Sequence, residues 1–238
     1  KTEYDADPPS SETFPPTVPG EGELRRAVDL LNAAERPFLF VGGGAQGATR
    51  EVAQLAKGLE ALVGASGNGL GVVPVDDPCY VGTNGEPGWW INRADVIVAV
   101  GTRFDARTQR WIGTPDAKVI HVDLDPRVIG RTLKTDVALV GDASATLTIL
   151  NSQLDRKVSS SWSEREKAPD DPVDEQACSI LKVLRQAMCR DAVLFNDMTL
   201  VCYQARRFFD VYEPRTFHSP ITYGSLGFSV PAAIGAKL

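Results

Sequence analysis

Small and charged residues follow several apolar runs of this sequence and could bind a phosphorylated ligand. Gly42-Gly43-Gly44 follows the apolar residues 38–41, and a backbone without Cβ atoms lets amide groups approach a phosphate closely. Arg103, Asp105 and Arg107 alternate after another apolar run, where guanidinium groups can grip a diphosphate and the carboxylate can hold one of them in place. Both patterns have structural alternatives, a turn for the glycines and a surface ion cluster for the charged residues.

Aspartates follow two further apolar runs. Asp123 comes directly after residues 118–122, where its carboxylate could accept hydrogen bonds from a ribose or an adenine. A turn built on Asp125-Pro126 is the structural alternative. Asp142 follows residues 137–140 and could contact the same ligand or cap the helix that comes next.

A glycine turn near residue 225 carries one bulky apolar side chain. Gly224 and Gly227 flank Ser225-Leu226, so the backbone can turn tightly and push the leucine outward against a flat ligand. Pro231 is expected to open a helix of small residues that packs closely on a neighbour. A buried turn between a strand and a helix is the alternative.

Apolar runs that alternate with helical patterns must position these residues. Continuous apolar runs bounded by glycine are typical of a parallel sheet covered on both faces, so we predict an α/β fold with a doubly wound sheet. The predicted strands are residues 38–41, 61–65, 95–101, 118–122 and 137–140, and the predicted helices are residues 21–34, 49–60 and 143–154. All these strands end in small or polar residues, and ligands of open α/β sheets bind along that edge.

Polar, proline-rich stretches divide the chain. We predict a linker over residues 1–21, a complete nucleotide-binding domain over 22–154, a second linker over 155–174, and the first part of a truncated second α/β domain over 175–238. The second domain should contain a helix over residues 175–188, a strand over 192–195 and an amphipathic helix ending at Phe209.

Composition excludes several classes of protein. A net charge of −6 offers no basic face for nucleic acid, and no apolar run approaches the length of a membrane span. The four cysteines form no CxxC pair and predict reduced, partly buried thiols in a cytoplasmic protein.

The motifs VGGG, GNGLG, VGTNG, GTRFDAR, IHVDLD and VGD, followed by GSLGFSVPAAIGA, form a joint signature in this order. Together they resemble the central and third domains of the thiamine-diphosphate enzymes, the acetolactate synthase type most of all. The resemblance covers residues 22–238 and implies that the central domain holds FAD and the third domain holds thiamine diphosphate. The FAD-binding positions that it implies are Gly42, Gly43, Gly44, Ser66, Thr83, Asn84, Gly85, Gly101, Arg103, Asp105, Arg107, Asp123, Leu124 and Asp142.

In the third domain, the resemblance implies that Leu226 props the bent thiamine and that backbone at Gly224 receives its pyrimidine. The turn after Asn196-Asp197 would face the diphosphate. Thr199-Leu200-Val201 stands where the usual pattern has Gly-Gln-His, and we include Thr199 and Leu200 among the cofactor-binding residues.

The implied reaction decarboxylates a 2-oxo acid and transfers the resulting carbanion to an acceptor carbonyl. The family's Mg²⁺ ligands and its activating glutamate have no counterpart in this sequence, so we assign no catalytic residue and no metal ligand here. We therefore expect a piece of a longer polypeptide that is inactive alone, and a homodimer or homotetramer at full length.

Two other functions stay open. A simple 2-oxo acid decarboxylase of the same family would leave the central domain empty or place another adenine nucleotide there. A non-catalytic nucleotide-binding module is the alternative from a different class. Of the remaining candidates, His121 is expected in the core, His218 could lie in a pocket, and Trp89-Trp90 is expected to pack at a helix start rather than cover a flavin.

Overall fold

A computed structural model describes residues 16–83, 86–104, 112, 116–155, 161–162, 175–220 and 223–237. Within these residues, six parallel strands form one sheet in the order β3-β2-β1-β4-β5-β6. The strands are β1 Pro37–Val41, β2 Leu62–Ala65, β3 Tyr80–Thr83, β4 Val96–Val100, β5 Lys118–Asp123 and β6 Val137–Val140. The predicted α/β class with a parallel sheet is confirmed.

Helices cover both faces of this sheet. They are α1 Glu21–Asn32, α2 Thr49–Leu59, α3 Glu86–Ile91 and α4 Ala143–Gln153. One face packs against α1, α2 and α4 through residues such as Leu31, Leu55 and Leu147. The other face packs Phe38 and Phe40 against α3 and the loop after β4. Among the described residues, no helix has the length and apolar character needed to cross a membrane.

The centre of the sheet explains the continuous apolar runs. Every residue of β1 and β4 is buried, because each side chain meets a covered face whichever way it points. The strand order reverses between β1 and β4, since β2 and β3 lie on one side and β5 and β6 on the other. Such a reversal opens a crevice at the carboxyl ends of the two central strands.

The sixth strand, β3, is a correction to the five predicted strands. Tyr80–Thr83 pairs with β2 at the edge of the sheet, with an irregular register around Gly82. Three of its four residues are only half-buried, so it lacks the continuous apolar run that marks the central strands.

The predicted linker over residues 155–174 contains an anchor. The Trp162 side chain is 8% exposed, and its Nε1 donates a 2.7 Å hydrogen bond to the Pro37 carbonyl at the amino end of β1. Its ring meets Trp90 edge to face at 5.6 Å, and Trp90 meets Trp89 in the same way at 4.6 Å. This agrees with a packing role for the tryptophan pair and places part of the expected linker in the core.

A second α/β unit follows, and we call residues 175–237 the second unit and residues 16–155 the first unit. The elements of the second unit are α5 Glu175–Ala187, β7 Leu194–Phe195, α6 Leu200–Phe208, β8 Phe217–His218 and α7 Ser229–Lys237. β7 and β8 form a two-stranded parallel sheet. The strand predicted over residues 192–195 is shorter in the structure and covers only Leu194–Phe195. The last helix, α7, begins at Ser229 and not at Pro231, where the sequence predicts its start.

The two units share a core and polar contacts. Leu70, from the loop after β2, lies in one apolar cluster with Leu181 and Phe217 of the second unit. Arg190 makes a two-pronged ion pair with Asp76, with both N–O distances 2.9 Å. The loop after β2 is therefore the docking surface of the second unit.

Two loops approach each other closely at the carboxyl ends of β1 and β4. The Gly42 and Gly44 amides donate to the carbonyls of Val100 and Gly101, at 2.9 and 3.0 Å. Gly101 has φ +57°, and a Cβ there would lie 2.7 Å from the Ala45 nitrogen. We call this backbone approach of Gly42, Gly44 and Gly101 the glycine contact, and it has no space for a side chain.

A matched pair of substitutions tests the glycine contact. Gly130 also has positive φ, +73°, but a Cβ there would meet nothing closer than 3.9 Å. Both Gly101→Ala and Gly130→Ala incur the left-handed backbone cost of roughly 1–2 kcal/mol. We expect Gly101→Ala to lower the free energy of unfolding by about 2 kcal/mol more, because only there is the core overpacked. Urea denaturation of the two variants measures this, and equal losses would contradict the steric explanation.

Candidate functional site

A cleft of about 210 Å³ opens at the point where the strand order reverses. We call it the β1–β4 cleft. Its walls come from the loops after β1, β2 and β4, so three of the predicted strand ends converge on it. The lining residues are Gly42, Gly43, Gly44, Ser66, Asn68, Gly101, Thr102, Arg103 and Phe104.

The triple glycine serves packing and also lines the cleft. Two of its three amides, those of Gly42 and Gly44, are hydrogen-bonded to the end of β4. Gly43 faces the loop after β2, where a Cβ would come within 3.3 Å of the Asn68 Cβ. Gly43 and Gly44 form a single 3₁₀ turn with Ala45, and residues 46–48 lie between this turn and α2, which begins only at Thr49. The start of α2 therefore does not follow the glycines directly.

Arg103 lies exposed at the mouth of the cleft and is fixed there by its neighbour. Phe104 is buried with φ +45°, stacks on Phe40 at 5.4 Å and meets the His121 ring at 5.6 Å. Because the phenylalanine points into the core, the preceding arginine is held at the surface. Asp105 and Arg107, the other two members of the predicted cluster, lie outside the described residues.

His121 is a core histidine, as the sequence favours. It is 1% exposed, and its Nε2 lies 2.8 Å from the Thr102 carbonyl. Burial holds the pKa of His121 below its ordinary value of 6.5, which keeps the ring neutral. Its role is to support the loop after β4 from beneath.

The aspartates after β5 and β6 make local structure. Asp123 accepts a 2.9 Å hydrogen bond from the Asp125 amide. Arg127 grips the Asp125 carboxylate and lowers the pKa of Asp125 to about 2. Asp142 caps α4 by accepting from the Ala145 amide at 2.9 Å. The structural alternatives are thus realised at both positions, and of the described residues neither Asp123 nor Asp142 lines the cleft.

The remaining predicted nucleotide positions are dispersed. Ser66 lines the cleft, while Leu124 is 64% exposed beyond β5. Thr83 ends β3 with a buried Oγ1 that has no hydrogen-bond partner in the described structure. Asn84 and Gly85 lie outside the described residues.

In the second unit, Asp197 organises the turn that carries Leu226. This carboxylate, just after β7, accepts hydrogen bonds from the Met198 and Gly227 amides at 2.9 and 3.0 Å. It also accepts from the Ser229 amide and hydroxyl, both at 3.2 Å. The amides of Met198 and Ser229 contribute most to holding the pKa of Asp197 below its ordinary value of 3.8. The sequence placed a cofactor-facing turn at Asn196-Asp197 but did not identify this anchoring role.

The turn of residues 223–228, which we call the wedge turn, projects an apolar side chain into open space. Leu226 is 81% exposed and Tyr223 is 94% exposed. Gly224 and Gly227 both have φ +75° with no atom near the position of a Cβ. The predicted outward leucine is present, and it is not buried by its own unit.

Other predicted residues of the second unit make local contacts. Thr199 caps α6 by accepting from the Cys202 amide at 3.2 Å, and Leu200 beside it is 66% exposed. His218 stacks on Phe195 at 4.8 Å, and its Nε2 lies 2.8 Å from the Arg215 carbonyl. This histidine therefore braces the end of the small sheet.

One residue beside the cleft was not identified from the sequence. The Gln46 amide nitrogen donates to the carbonyls of Asn68 and Leu70, at 2.8 and 3.0 Å, and its oxygen accepts from the Arg215 amide at 2.8 Å. A glutamine at the end of a glycine turn carries no local signal for contacts so distant in the chain.

Asp197 makes stability depend on pH with a definite sign. Folding lowers the pKa of Asp197, so the ionised carboxylate stabilises the folded protein fully above pH 3.8. This stabilisation is lost as the pH falls through the lowered pKa. We expect Asp197→Ala to lower Tm near neutral pH, with a deficit that shrinks as the pH drops below 3.8. Thermal melts against pH measure this.

Asp210→Ala is the control, since Asp210 is exposed in the same unit and the substitution removes the same charge. A deficit for Asp197→Ala that stays constant down to the lowest pH at which the protein folds would rule out the charged anchor.

Comparison with known families bears on both sites. The family model described as the thiamine pyrophosphate enzyme central domain matches residues 24–150, which include the β1–β4 cleft. The model of the thiamine pyrophosphate enzyme C-terminal TPP binding domain matches residues 197–238, which include Asp197 and the wedge turn.

Curated relatives include a probable 2-ketoarginine decarboxylase of Pseudomonas aeruginosa, 35% identical over 235 residues that cover 93% of this chain and 42% of that protein. A probable acetolactate synthase large subunit of Methanocaldococcus jannaschii is 30% identical, covering 94% of this chain and 42% of the relative. Acetolactate synthase isozyme 3 large subunit of Escherichia coli is 29% identical, with 96% and 44% covered. The chain spans less than half the length of these proteins.

A solved structure from Mycobacterium smegmatis, assigned as a thiamin diphosphate-dependent enzyme, superposes with a TM-score of 0.74 at 21% identity. The superposition covers 96% of this chain and 47% of the chain from Mycobacterium smegmatis. At this sequence identity it supports the fold alone. The family models and the relatives confirm the resemblance carried by the glycine and aspartate motifs. This chain belongs to the acetolactate synthase-like thiamine pyrophosphate enzymes, and it carries residues of their central and C-terminal domains.

Proposed function

We propose that the protein containing this chain decarboxylates a 2-oxo acid with thiamine diphosphate and transfers the resulting carbanion to an acceptor carbonyl, as acetolactate synthases do. The observation that carries the proposal is the wedge turn. An 81% exposed leucine on a double-glycine turn, anchored by a charged aspartate, is a rigid apolar projection of the kind that can support a flat cofactor.

The contacts of Asp197 supply the rigidity. The carboxylate holds the wedge turn at Gly227 and the start of α7 at Ser229. It is itself fixed to the end of β7 through the Met198 amide. Leu226 would thus support the thiamine from one side, and the backbone at Gly224 would receive its pyrimidine edge.

Thiamine diphosphate, when bound, supplies the nucleophilic carbon for attack on the 2-oxo acid. The chain's own contribution would be shape, because Leu226 would hold the cofactor folded so that its amino group could reach that carbon. The described residues bring no three His, Cys, Asp or Glu side chains together in an arrangement that could hold a metal ion.

The β1–β4 cleft is the proposed site of an adenine cofactor, with FAD as the first candidate. Glycine backbone forms its floor, and Arg103 offers a cation at its mouth. At about 210 Å³ it is smaller than the ~300–1,000 Å³ of whole-ligand pockets, so it suits a diphosphate with the remaining groups lying along the sheet edge. This chemistry is shared by FAD and ADP.

A plain 2-oxo acid decarboxylase is the second candidate. The 35% identity to a probable 2-ketoarginine decarboxylase favours it. The two reactions share the first step and differ only in what receives the fragment. We also propose that the full-length protein is a homodimer or homotetramer.

The test uses the purified full-length protein with thiamine diphosphate, Mg²⁺ and a panel of 2-oxo acids. We expect CO₂ release, an acyloin product and the visible absorbance of bound flavin. CO₂ with an aldehyde product and no flavin would select the plain decarboxylase. No CO₂ from any acid, with no thiamine diphosphate bound, would leave the non-catalytic nucleotide-binding module as the function.

Substitutions at Leu226 test the wedge directly. We expect Leu226→Ala to lower kcat at least tenfold, because small misplacements of reacting groups have effects on the order of 100-fold. Leu226→Met keeps the bulk and should stay within a few-fold of the wild type. Tm should be nearly unchanged in both, since the side chain is 81% exposed. Equal kcat for Leu226→Ala and the wild type would exclude the wedge role.

A further inference from the structure

The loop after β2 belongs to both candidate sites. Ser66 and Asn68 line the β1–β4 cleft. Two residues later, Leu70 packs into the core of the second unit. Gly71 has φ +81° and lies so close to the Glu213 carbonyl that a Cβ could not be accommodated. Any displacement of this loop therefore changes the cleft wall and the docking of the second unit together.

Gln46 fixes this loop with its whole side-chain amide. It is the first residue after the Gly43–Ala45 turn, so it is attached directly to the cleft floor. Its nitrogen holds the Asn68 and Leu70 carbonyls, and its oxygen holds the Arg215 amide of the second unit. The half-buried glutamine thus connects the cleft floor, the cleft wall and the second unit.

From Arg215 the contacts continue to the wedge turn. Arg215 itself has φ +61°, an uncommon backbone conformation that its surroundings must stabilise. The Arg215 carbonyl lies 2.8 Å from His218 Nε2, and the His218 carbonyl accepts from the Asn196 amide at 2.8 Å. The next residue is Asp197, which anchors the wedge turn. Side-chain and backbone hydrogen bonds therefore link the cleft floor to Leu226.

We propose that Gln46 is a positioning residue that couples the two cofactor sites, so that an adenine nucleotide in the cleft strengthens thiamine diphosphate binding at the wedge turn. The inference rests on the proposed function, because it assumes ligands at both places. A ligand that contacts Gly43 and Asn68 orders the loop that Gln46 holds, and the ordered loop fixes Arg215 and the end of the small sheet. By linkage, thiamine diphosphate must strengthen nucleotide binding by the same factor.

Calorimetric titration of the full-length protein, freed of bound nucleotide, tests the coupling. ADP is the probe for the cleft, because it carries the adenosine and diphosphate shared with FAD. Thiamine diphosphate with Mg²⁺ is the probe for the second unit. We expect its Kd to fall at least about fivefold at saturating ADP, within the usual range of allosteric coupling.

Variants of Gln46 separate coupling from stability. Gln46→Leu removes all three hydrogen bonds. It should bring the ratio of the thiamine diphosphate Kd without ADP to the Kd at saturating ADP close to one. Gln46→Glu keeps the acceptor for Arg215 but loses the donors to Asn68 and Leu70, so it should also lower the ratio. Gln54→Glu on the exposed side of α2 makes the same chemical change and should leave the ratio as in the wild type.

The outcomes distinguish this inference from the proposed function. If both Gln46 variants lower Tm but keep the wild-type ratio, the glutamine is only structural and the inference is wrong. If the wild-type protein binds both ligands but its Kd ratio is one, the inference is wrong and the proposed function is unaffected. Failure of ADP to bind would overturn both the nucleotide site and the coupling.

Discussion

The close approach of two backbones, at the point where the strand order reverses, is the constraint on which the rest of the first unit depends. Gly42 and Gly44 can donate to the end of β4 only because Gly101 has no side chain. That contact sets the floor of the cleft, the direction in which Phe104 enters the core and the place where Arg103 emerges. It also fixes the start of the turn that precedes Gln46.

The second unit achieves order by a different physical means. Its wedge turn has almost no packing of its own, with open space around Gly224 and Gly227. A carboxylate that accepts four hydrogen bonds replaces the missing packing. Steric exclusion therefore shapes the first site and electrostatics shapes the second, so the first tolerates little change in volume and the second little change in charge.

How much of this was predictable depends on how local each signal is. The central strands follow from continuous apolar runs, and the glycines and the aspartate caps follow from residue types at strand ends. The edge strand β3 lacks such a run because three of its four residues are only half-buried. Gln46 contacts residues 22, 24 and 169 positions away, and hydrogen bonds over such separations leave no pattern in the sequence. Trp162 was missed for a related reason, since a polar composition averaged over a segment hides one anchoring residue.

The buried tryptophan cluster has an optical consequence. All four tryptophans lie between residues 89 and 162, and Trp90 contacts both Trp89 and Trp162. Indole fluorescence therefore reports on the first unit and on Trp162, which packs against it, whereas far-ultraviolet circular dichroism sums the helices of both units. Comparing the two signals on heating shows, without any added label, whether the units melt as one cooperative body or in sequence.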